Sequence, residues 1–546
     1  MGRTTNTARL AALGELCTNR ALRRAELAWG GFHAAEWASL VALSVVAYEA
    51  DGAEAVGLVL FARMVPSALI APFVAVIGDR YRRERILLAV HLIRGLACLA
   101  AAAALALDAA PIAVYVSAVL AAVPLAAHRP CHLALVPLLA RSPRELSASN
   151  VAALSLESAA VLAGPLAAAV LLAVSEPAAV FAVCAAISFL SLAAIAGIRG
   201  GAPSTRPAVR PGILGELREG LRALARNRPV RLVVALFGAQ AFVRGALGVL
   251  VVVLAIDMLG IGEPAVGTLM AAFGLGGLAG ALAGISLVGR GGLGRPFQLS
   301  LAGWGLPLAL IAIWPETSVA LVALAASGFA NSLLDVSGFT SMQEHLDDRL
   351  LGRVFGLFEL VVIVAVALGS LAAPVLLDLL GSRGALIAIG LLLPVLAAFA
   401  HGALGRIDDG MAVRAHELDL LRRTVVFAPL SYAALRRLAS SLGEEHVAAG
   451  EVVVRQGEVG EVVYVIAEGR VAVSRDGEAV AELGPDATFG ETALILDVPR
   501  NATVTALEPL LVRTLGRGPF LAEVTGNRLS RDALDRLVAA RDPAAG

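Results

Sequence analysis

The sequence predicts an all-α polytopic membrane protein of twelve transmembrane helices in two six-helix halves, followed by a cytoplasmic β-roll. Three observations predict it. About twelve apolar runs, each long enough to cross a bilayer, fill residues 28–403. Arginine recurs in alternate connections between them. After Gly405 the pattern changes to short β-branched runs split by glycine. Of 546 residues, 58% are hydrophobic and only 16% are charged, against roughly a quarter charged in a soluble domain.

The runs come first. A hydrocarbon core needs about 20 apolar residues in a helix, and such runs lie near 28–49, 55–77, 86–107, 111–136, 149–174, 177–198, 231–256, 265–288, 297–314, 317–340, 354–377 and 384–403. Arg20, Arg23 and Arg24 precede span 1, and Arg80, Arg82, Arg83 and Arg85 follow span 2. Arginine returns at Arg141 and Arg144, through Arg199–Arg228, at Arg290 and Arg295, and at Arg349 and Arg353. The intervening connections hold Asp51, Glu54, Asp108, Glu176, Glu263 and Glu316, with no arginine until Arg383. Positive charge stays inside, which puts both termini in the cytoplasm. The segment 1–27 is basic and lacks a short apolar core with a cleavage site, so no removable signal peptide is expected.

Other classes find no support. Net charge is zero, which gives no nucleic-acid footprint. Cys17, Cys98, Cys131 and Cys184 are scattered, three inside apolar runs; without metal-ligand spacing they read as buried thiols, and no metal is expected. There is no nucleophile–base pair or P-loop, so neither an enzyme nor an ATP-driven pump is expected. A gated channel would show about six spans with a pore loop and an arginine ladder, and this chain does not.

The chain also repeats itself. Ala55-Val-Gly57 opens span 2, which ends near Gly78-Asp79-Arg80, and Ala265-Val-Gly267 opens span 8, which ends near Gly289-Arg290. This divides the membrane part into halves at 28–198 and 231–404, joined by a cytoplasmic loop at 199–230. Within that loop, residues 213–224 read as an amphipathic interfacial helix.

Two six-helix halves with a long central loop are the layout of major facilitator transporters. Ala75-Val-Ile-Gly-Asp79-Arg80-Tyr81-Arg82-Arg83-Glu-Arg85 resembles that superfamily's loop between helices 2 and 3, with Ala75 in place of its first glycine. Gly164-Pro165 resembles the bend in helix 5 of many exporters, and Leu351-Gly-Arg353-Val-Phe is similar to drug- and siderophore-exporter members. The resemblance covers residues 28–404. It implies a secondary transporter, exporter-like, with Asp79, Arg80 and Arg83 as a gating loop. Asp79 would then sit on the N-terminus of span 11 near Gly352, where the helix dipole favours a carboxylate. The plainer reading is that these arginines only enforce topology.

Ionisable residues inside spans are costly and so point to function. In the resembling fold spans 1, 4, 7 and 10 line a central cavity, and each carries such a residue: Glu36, Arg129, Arg244 and Asp335. Trp29, His33 and Glu36 share one face of span 1; His128 precedes Arg129; Gln240 lies one turn from Arg244; and Asn331 lies one turn from Asp335. The expectation is a shared cavity in which protonation of Glu36 or Asp335 drives rocking of the halves. The alternative is structural pairing, such as Glu36 with Arg244. Arg63 and Glu359 rank below as residues that snorkel to the interface, and Glu157 is undecided.

After a charged helical linker at 405–428 comes a domain at 429–526, then a C-terminal helix and tail at 527–546. Residues 451–455, 462–466, 470–474 and 478–483 read as strands with glycine turns. Phe489-Gly-Glu-Thr-Ala-Leu-Ile-Leu-Asp-Val-Pro-Arg500-Asn-Ala-Thr resembles the phosphate-binding cassette of cyclic-nucleotide-binding domains. That resemblance implies binding by Gly490, Glu491, Thr492, Arg500, Asn501, Ala502 and Thr503. Arg500 would fork onto the cyclic phosphate, and Glu491 would accept the ribose 2′-hydroxyl. A helix starting after Gly490 would present backbone N–H groups to the anion. Leu534, Leu537 and Val538 are candidates to cap the base. Thr492 and Asn501 depart from the usual pattern and leave base preference open, with cyclic AMP put ahead of cyclic GMP as the regulatory ligand.

The function expected is a small-molecule exporter in the cell (inner) membrane, proton-coupled in one version, and regulated by cyclic nucleotide. A lipid or lysophospholipid flippase on the same fold, and a membrane-anchored sensor without transport, remain as alternatives.

Overall fold

The computed structural model describes residues 19–80, 82–141, 143–198, 213–284, 293–346, 348–430, 432–524, 530–532 and 536. Side chains at 71–80, 348–353 and 407–415, with several others, lie outside that description. The chain forms two compact units, Met1–Gly405 and Arg406–Gly546.

Among the described residues, ten helical stretches are long and apolar enough to cross a bilayer. The first and last, Arg20–Ile70 and Val354–Arg406, run to 51 and 53 residues. At about 1.5 Å per residue, each would be more than twice the thickness of a bilayer core if straight. Each is broken once. The helix Arg20–Arg80 turns at Asp51 and Gly52, and the helix Asp348–Arg423 turns at Gly381. The breaks resolve ten stretches into twelve spans. Span 4 is interrupted at Val123–Pro124, between Pro111–Ala122 and Leu125–Leu139. Span 7, Arg228–Val253, ends in a π-helical turn, Leu254–Met258, that carries Asp257. The central loop contains the helix Ile213–Arg226. The helix of span 12 continues past the membrane segment to Arg423.

The repeated Ala-Val-Gly has a structural meaning. A Cβ on Gly57 of span 2 would sit 2.6 Å from the carbonyl oxygen of Ser370 in span 11. A Cβ on Gly267 of span 8 would sit 2.4 Å from the carbonyl oxygen of Pro165 in span 5. Both distances are below any real carbon–oxygen contact. Spans 2 and 8 are equivalent in the repeat, as are 5 and 11. Each seam between the halves therefore has a glycine at the same repeat position where helix backbones meet, and the seam of spans 5 and 8 has a second in Gly274, whose Cβ would sit 2.6 Å from the Val161 carbonyl oxygen.

The second unit is a β-roll. Its strands are β1 (Gly443–Val447), β2 (Val452–Val454), β3 (Val462–Glu468), β4 (Val471–Arg475), β5 (Glu478–Leu483), β6 (Thr488–Phe489), β7 (Thr503–Ala506) and β8 (Leu510–Gly516). They form two antiparallel sheets in the orders β1-β8-β3-β6 and β2-β7-β4-β5. Alternation along β3 and β8 sends Ile466 and Val512 into the core with Val471, Phe489 and Val504. Their opposite faces bury Val463, Val465 and Leu515 under three short helices. These are α1 (Tyr432–Ala439), α2 (Glu491–Leu496) and α3 (Arg517–Val524), which contribute Leu435, Leu438, Leu494 and Phe520.

Substituting either seam glycine must push two helix backbones apart, an overpacking strain of about 1–3 kcal/mol. Gly57→Val and Gly267→Val should each lower the thermal midpoint of the purified full chain in detergent. Gly402→Ala should not, because nothing lies within 4 Å of a Cβ there.

Candidate transport cavity and nucleotide pocket

A cavity of about 800 Å³ opens in the membrane unit, within the range of about 300–1,000 Å³ for small-molecule sites. Its walls come from spans 4, 5, 7, 8, 10 and 11. One wall is aromatic: Phe237 packs edge-on against Phe358 and stacks on Phe339, with Phe355 beyond. The others bring five charges together, Arg129, Glu157, Arg244, Asp335 and Glu359. Arg129 Nη1 lies 3.4 Å from Glu157 Oε1. A hydrogen-bonded chain fixes the acid on span 10. Gln240 Nε2 and Trp304 Nε1 donate to Asn331 Oδ1 at 2.9 and 3.0 Å, and Asn331 Nδ2 donates to Asp335 at 3.0 Å. Arg244 faces the open cavity with no hydrogen bond or ion pair to a described residue.

Three of the four cavity positions expected from sequence, Arg129, Arg244 and Asp335, thus meet in one space. Glu36 does not. Its carboxylate is enclosed within half 1, with Oε1 2.7 Å from Arg63 Nη2 and Oε2 2.6 Å from Arg94 Nη1. Both arginines are almost fully buried. The cavity assignment of Glu36 is therefore corrected, and so is the alternative pairing with Arg244. Rotation of span 1 about its axis turns Glu36 toward spans 2 and 3, which helix periodicity alone does not reveal. Arg63 does not snorkel; it completes this triad. Glu359, ranked low from sequence, lines the cavity. Arg94 was missed, although its place within an apolar run was the available signal.

At the end where spans 1 and 2 connect, the Tyr48 hydroxyl donates to Asp257 on the turn closing span 7. This bond joins the two halves. The cavity extends the other way, toward the connection between spans 10 and 11 near Phe339 and Phe355. The structure thus joins its halves by a hydrogen bond at one end, while the cavity lining reaches Phe339, Thr340 and Phe355 at the ends of spans 10 and 11. Residues 79 and 80 close the helix of span 2, with their side chains outside the described residues; Arg83 begins span 3. The gating role of Asp79, Arg80 and Arg83 stays a proposal.

In the β-roll the cassette folds around Arg500. Gly490, at φ 87°, is the left-handed residue that starts α2, a conformation glycine adopts without a Cβ clash. A Cβ on Gly490 would lie 2.3 Å from Arg500 Nη1, and one on Gly460 only 2.1 Å from Arg500 Nε. The guanidinium fills the space the two glycines leave. It donates from Nη1 to the Gly490 carbonyl at 2.8 Å and from Nη2 to the Val462 carbonyl at 2.7 Å. Its backbone is pinned as well: Arg500 N donates to Glu458 O, and Gly457 N donates to Arg500 O, both at 2.8 Å. Burial pulls the guanidinium below its ordinary value, with Tyr464 and Glu491 acting the other way. A buried cation whose hydrogen bonds to described residues go to neutral carbonyls is suited to an anion.

Tyr464 stacks on Phe489 at 4.8 Å beside Arg500. Glu491 and Thr492 are buried at the start of α2, and Asn501, Ala502 and Thr503 are half-buried. Thr503 Oγ1 accepts from Gln456 N at 3.0 Å. Leu534, Leu537 and Val538 lie outside the described residues.

Comparison with known proteins follows this division. The family described as transmembrane secretion effector matches residues 33–420, more than two thirds of the chain, and the family described as cyclic nucleotide-binding domain matches residues 444–526. The chain is 38% identical over 128 residues to a cAMP-dependent protein kinase regulatory subunit from Debaryomyces hansenii, covering 23% of this chain and 27% of that protein. It is 44% identical over 88 residues to a cyclic nucleotide-gated potassium channel from Rhizobium etli, covering 16% and 24%. It is 34% identical over 113 residues to a cGMP-dependent protein kinase from Eimeria tenella, covering 21% and 11%. The chain spans about a quarter of the length of these relatives, or less.

A pH dependence follows from β1 and β8. Arg513 donates to Glu444 and, with His446, holds its carboxyl below the ordinary range. A depressed carboxylate stabilises the fold above its unfolded value of about 4.3, and that stability is lost as pH falls through the folded value. Hydrogen-exchange protection of β1 and β8 should hold steady above about pH 5 and fall below it. Glu444→Gln should blunt that fall.

Proposed function

The chain belongs to the transmembrane secretion effector family of major facilitator transporters, and on that premise we propose that it exports a small molecule under cyclic-nucleotide control. The observation that carries the reading is a cavity lined by Arg129, Arg244 and Asp335 in a protein latched at the opposite end by Tyr48 and Asp257. The latched end faces outward, both termini lie in the cytoplasm, and the membrane is the cell membrane.

Substrate enters from the cytoplasm, its apolar part against Phe237, Phe339 and Phe358 and its polar part at Arg244. Asp335 carries the coupling proton. Neutral, it leaves Arg244 to the substrate; ionised, it attracts the guanidinium across the cavity and favours release. Exchange of the two states breaks the Tyr48–Asp257 bond and closes the cytoplasmic end through Asp79, Arg80 and Arg83 against span 11.

In the β-roll the cyclic phosphate replaces the two carbonyl partners of Arg500 and takes backbone N–H groups from Asn501 and Ala502. Glu491 accepts the ribose hydroxyl, while Gly490, Thr492 and Thr503 shape the loop. The relatives named for cyclic AMP favour that nucleotide, and the relative named for cyclic GMP is the reason to test both. The span 12 helix, continuous to Arg423, supplies the covalent path by which nucleotide biases transport.

Two outcomes are expected. Calorimetric titration of the full chain should show micromolar binding of cyclic AMP, weaker binding of cyclic GMP, and a loss of roughly 10- to 100-fold in Arg500→Ala. That loss corresponds to about 1.5–3 kcal/mol for a hydrogen bond to a charged group. No binding of either nucleotide would remove the regulatory half of the proposal. In proteoliposomes, efflux of a panel of amphipathic dyes driven by a pH gradient should be abolished by Asp335→Asn and unaffected by Glu444→Gln.

A further inference from the structure

The backbone of Arg500 is held by the loop between β2 and β3, and that loop needs a hold of its own. Residues 456–459 are exposed and Gly457 lies at φ 87°, so the segment gains little from packing and carries a residue of high backbone freedom. Yet Gly457 N donates to Arg500 O, and Arg500 N donates to Glu458 O, each at 2.8 Å. These two bonds bridge the loop to the phosphate cassette. A shift of residues 457 and 458 therefore shifts Arg500.

Gln456 ties the loop down immediately before that bridge. Its backbone N donates to Thr503 Oγ1 at 3.0 Å. Its side chain reaches a different hairpin, where Nε2 donates to Asp476 Oδ1 and Oε1 accepts from Asp476 N, both at 2.9 Å. A carboxamide carries a donor and an acceptor side by side, and Asp476 presents the complementary pair. Only one orientation of the amide satisfies both bonds. Asp476 is itself fixed by the chain. With Gly477 it forms the two-residue turn between β4 and β5, at φ 54° and 87°, flanked by the paired Arg475 and Glu478. Two positive φ values in a two-residue turn match the twist of the strands they join. Strand β4 also pairs with β7, Ser474 lying opposite Thr503. Both anchors of Gln456 thus belong to one sheet.

We propose that Gln456 is a positioning residue for the nucleotide phosphate: it clamps the β2–β3 loop to the β4–β5 turn, and the loop sets the place of Arg500. The inference rests on the nucleotide-binding reading above. Because the clamp acts at the phosphate end of the site, cyclic AMP and cyclic GMP depend on it alike. Its side-chain bonds are exposed and contribute modestly, so losing them weakens binding without abolishing it. The pairing can also be exchanged. Glutamate at position 456 keeps an acceptor for Asp476 N but sets carboxylate against carboxylate. Asp476→Asn then returns the missing donor from the other side, and asparagine tolerates the left-handed turn as aspartate does.

The test combines calorimetric titration with hydrogen exchange, both on the purified full chain. Gln456→Ala should weaken cyclic AMP and cyclic GMP equally, by roughly 3- to 10-fold, the worth of about one net hydrogen bond. Gln456→Glu should weaken them at least as much, and adding Asp476→Asn should restore binding to within about twofold of native. Without nucleotide, Gln456→Ala should speed exchange in peptides covering 455–461 and 499–503 and leave β1 and β8 unchanged. Native affinity in Gln456→Ala, unchanged exchange at 499–503, or an exchanged pair that fails to restore binding overturns the clamp. If the native chain binds neither nucleotide while exchange rises as expected, the nucleotide reading fails and the phosphate role of Gln456 falls with it. That failure is distinguishable, because the hold of the loop on Arg500 is then still measured.

Discussion

A bilayer offers no water to a charged side chain, so every ion inside it must find its partner in the protein. The Glu36 triad is where this constraint acts most strongly. One carboxylate from span 1 is clamped between guanidinium groups from spans 2 and 3, at 2.7 and 2.6 Å. A buried ion pair adds little net stability over a well-packed apolar core, yet removing one partner is severe, because it leaves a charge with nothing beside it. The triad therefore fixes geometry rather than adding energy. It sets the rotation of spans 1 to 3, and that rotation decides which other residues face the cavity and which are enclosed.

The two halves use charge differently. In half 1 the acids and bases nearest the core are matched to one another. Along the cavity wall of half 2, Arg244 is left facing open space, while Asp335 is oriented through Asn331 by Gln240 and Trp304. A half whose buried carboxylate is paired with two guanidinium groups beside one with an exposed cation is an arrangement suited to moving a polar cargo. The β-roll solves a related problem in water. Arg500 is buried against two backbone carbonyls, which take two of its five donors without neutralising its charge.

The twelve apolar runs, the arginine-bearing loops and the nucleotide cassette were all legible in the sequence, because each depends on spacing within one segment. The partner of Glu36 was not. Periodicity places Trp29, His33 and Glu36 on one face, but it carries no information about which neighbouring span that face meets. Arg63 was read as snorkelling for the same reason, since only the fold shows that its guanidinium points inward. The strands β6 and β7, of two and four residues, are too short to give a period-2 signal. The Ala-Val-Gly repeat was visible as a repeat, while the role of Gly57 and Gly267 as crossing points emerged only once opposing carbonyls were seen against them.

Those crossings bear on how such a protein can move. At the glycine crossings the contact is backbone against backbone, with Pro374 and Ala169 packed alongside Gly57 and Gly267. Sliding one half against the other there costs dispersion contacts gradually, without breaking discrete bonds. Polar links across the latched end are the hydrogen bonds from Tyr48 to Asp257 and between Glu49 and Glu263, and bonds of this kind contribute on the order of 1–3 kcal/mol net. Two conformations separated by a few kcal/mol both remain accessible, with the minor one populated at roughly 0.1–10%. Any ligand with a modest preference for one state shifts such a balance. Glycine seams with a few weak polar links at the latched end make the membrane unit responsive to small biases, which a seam of interdigitated leucines would resist.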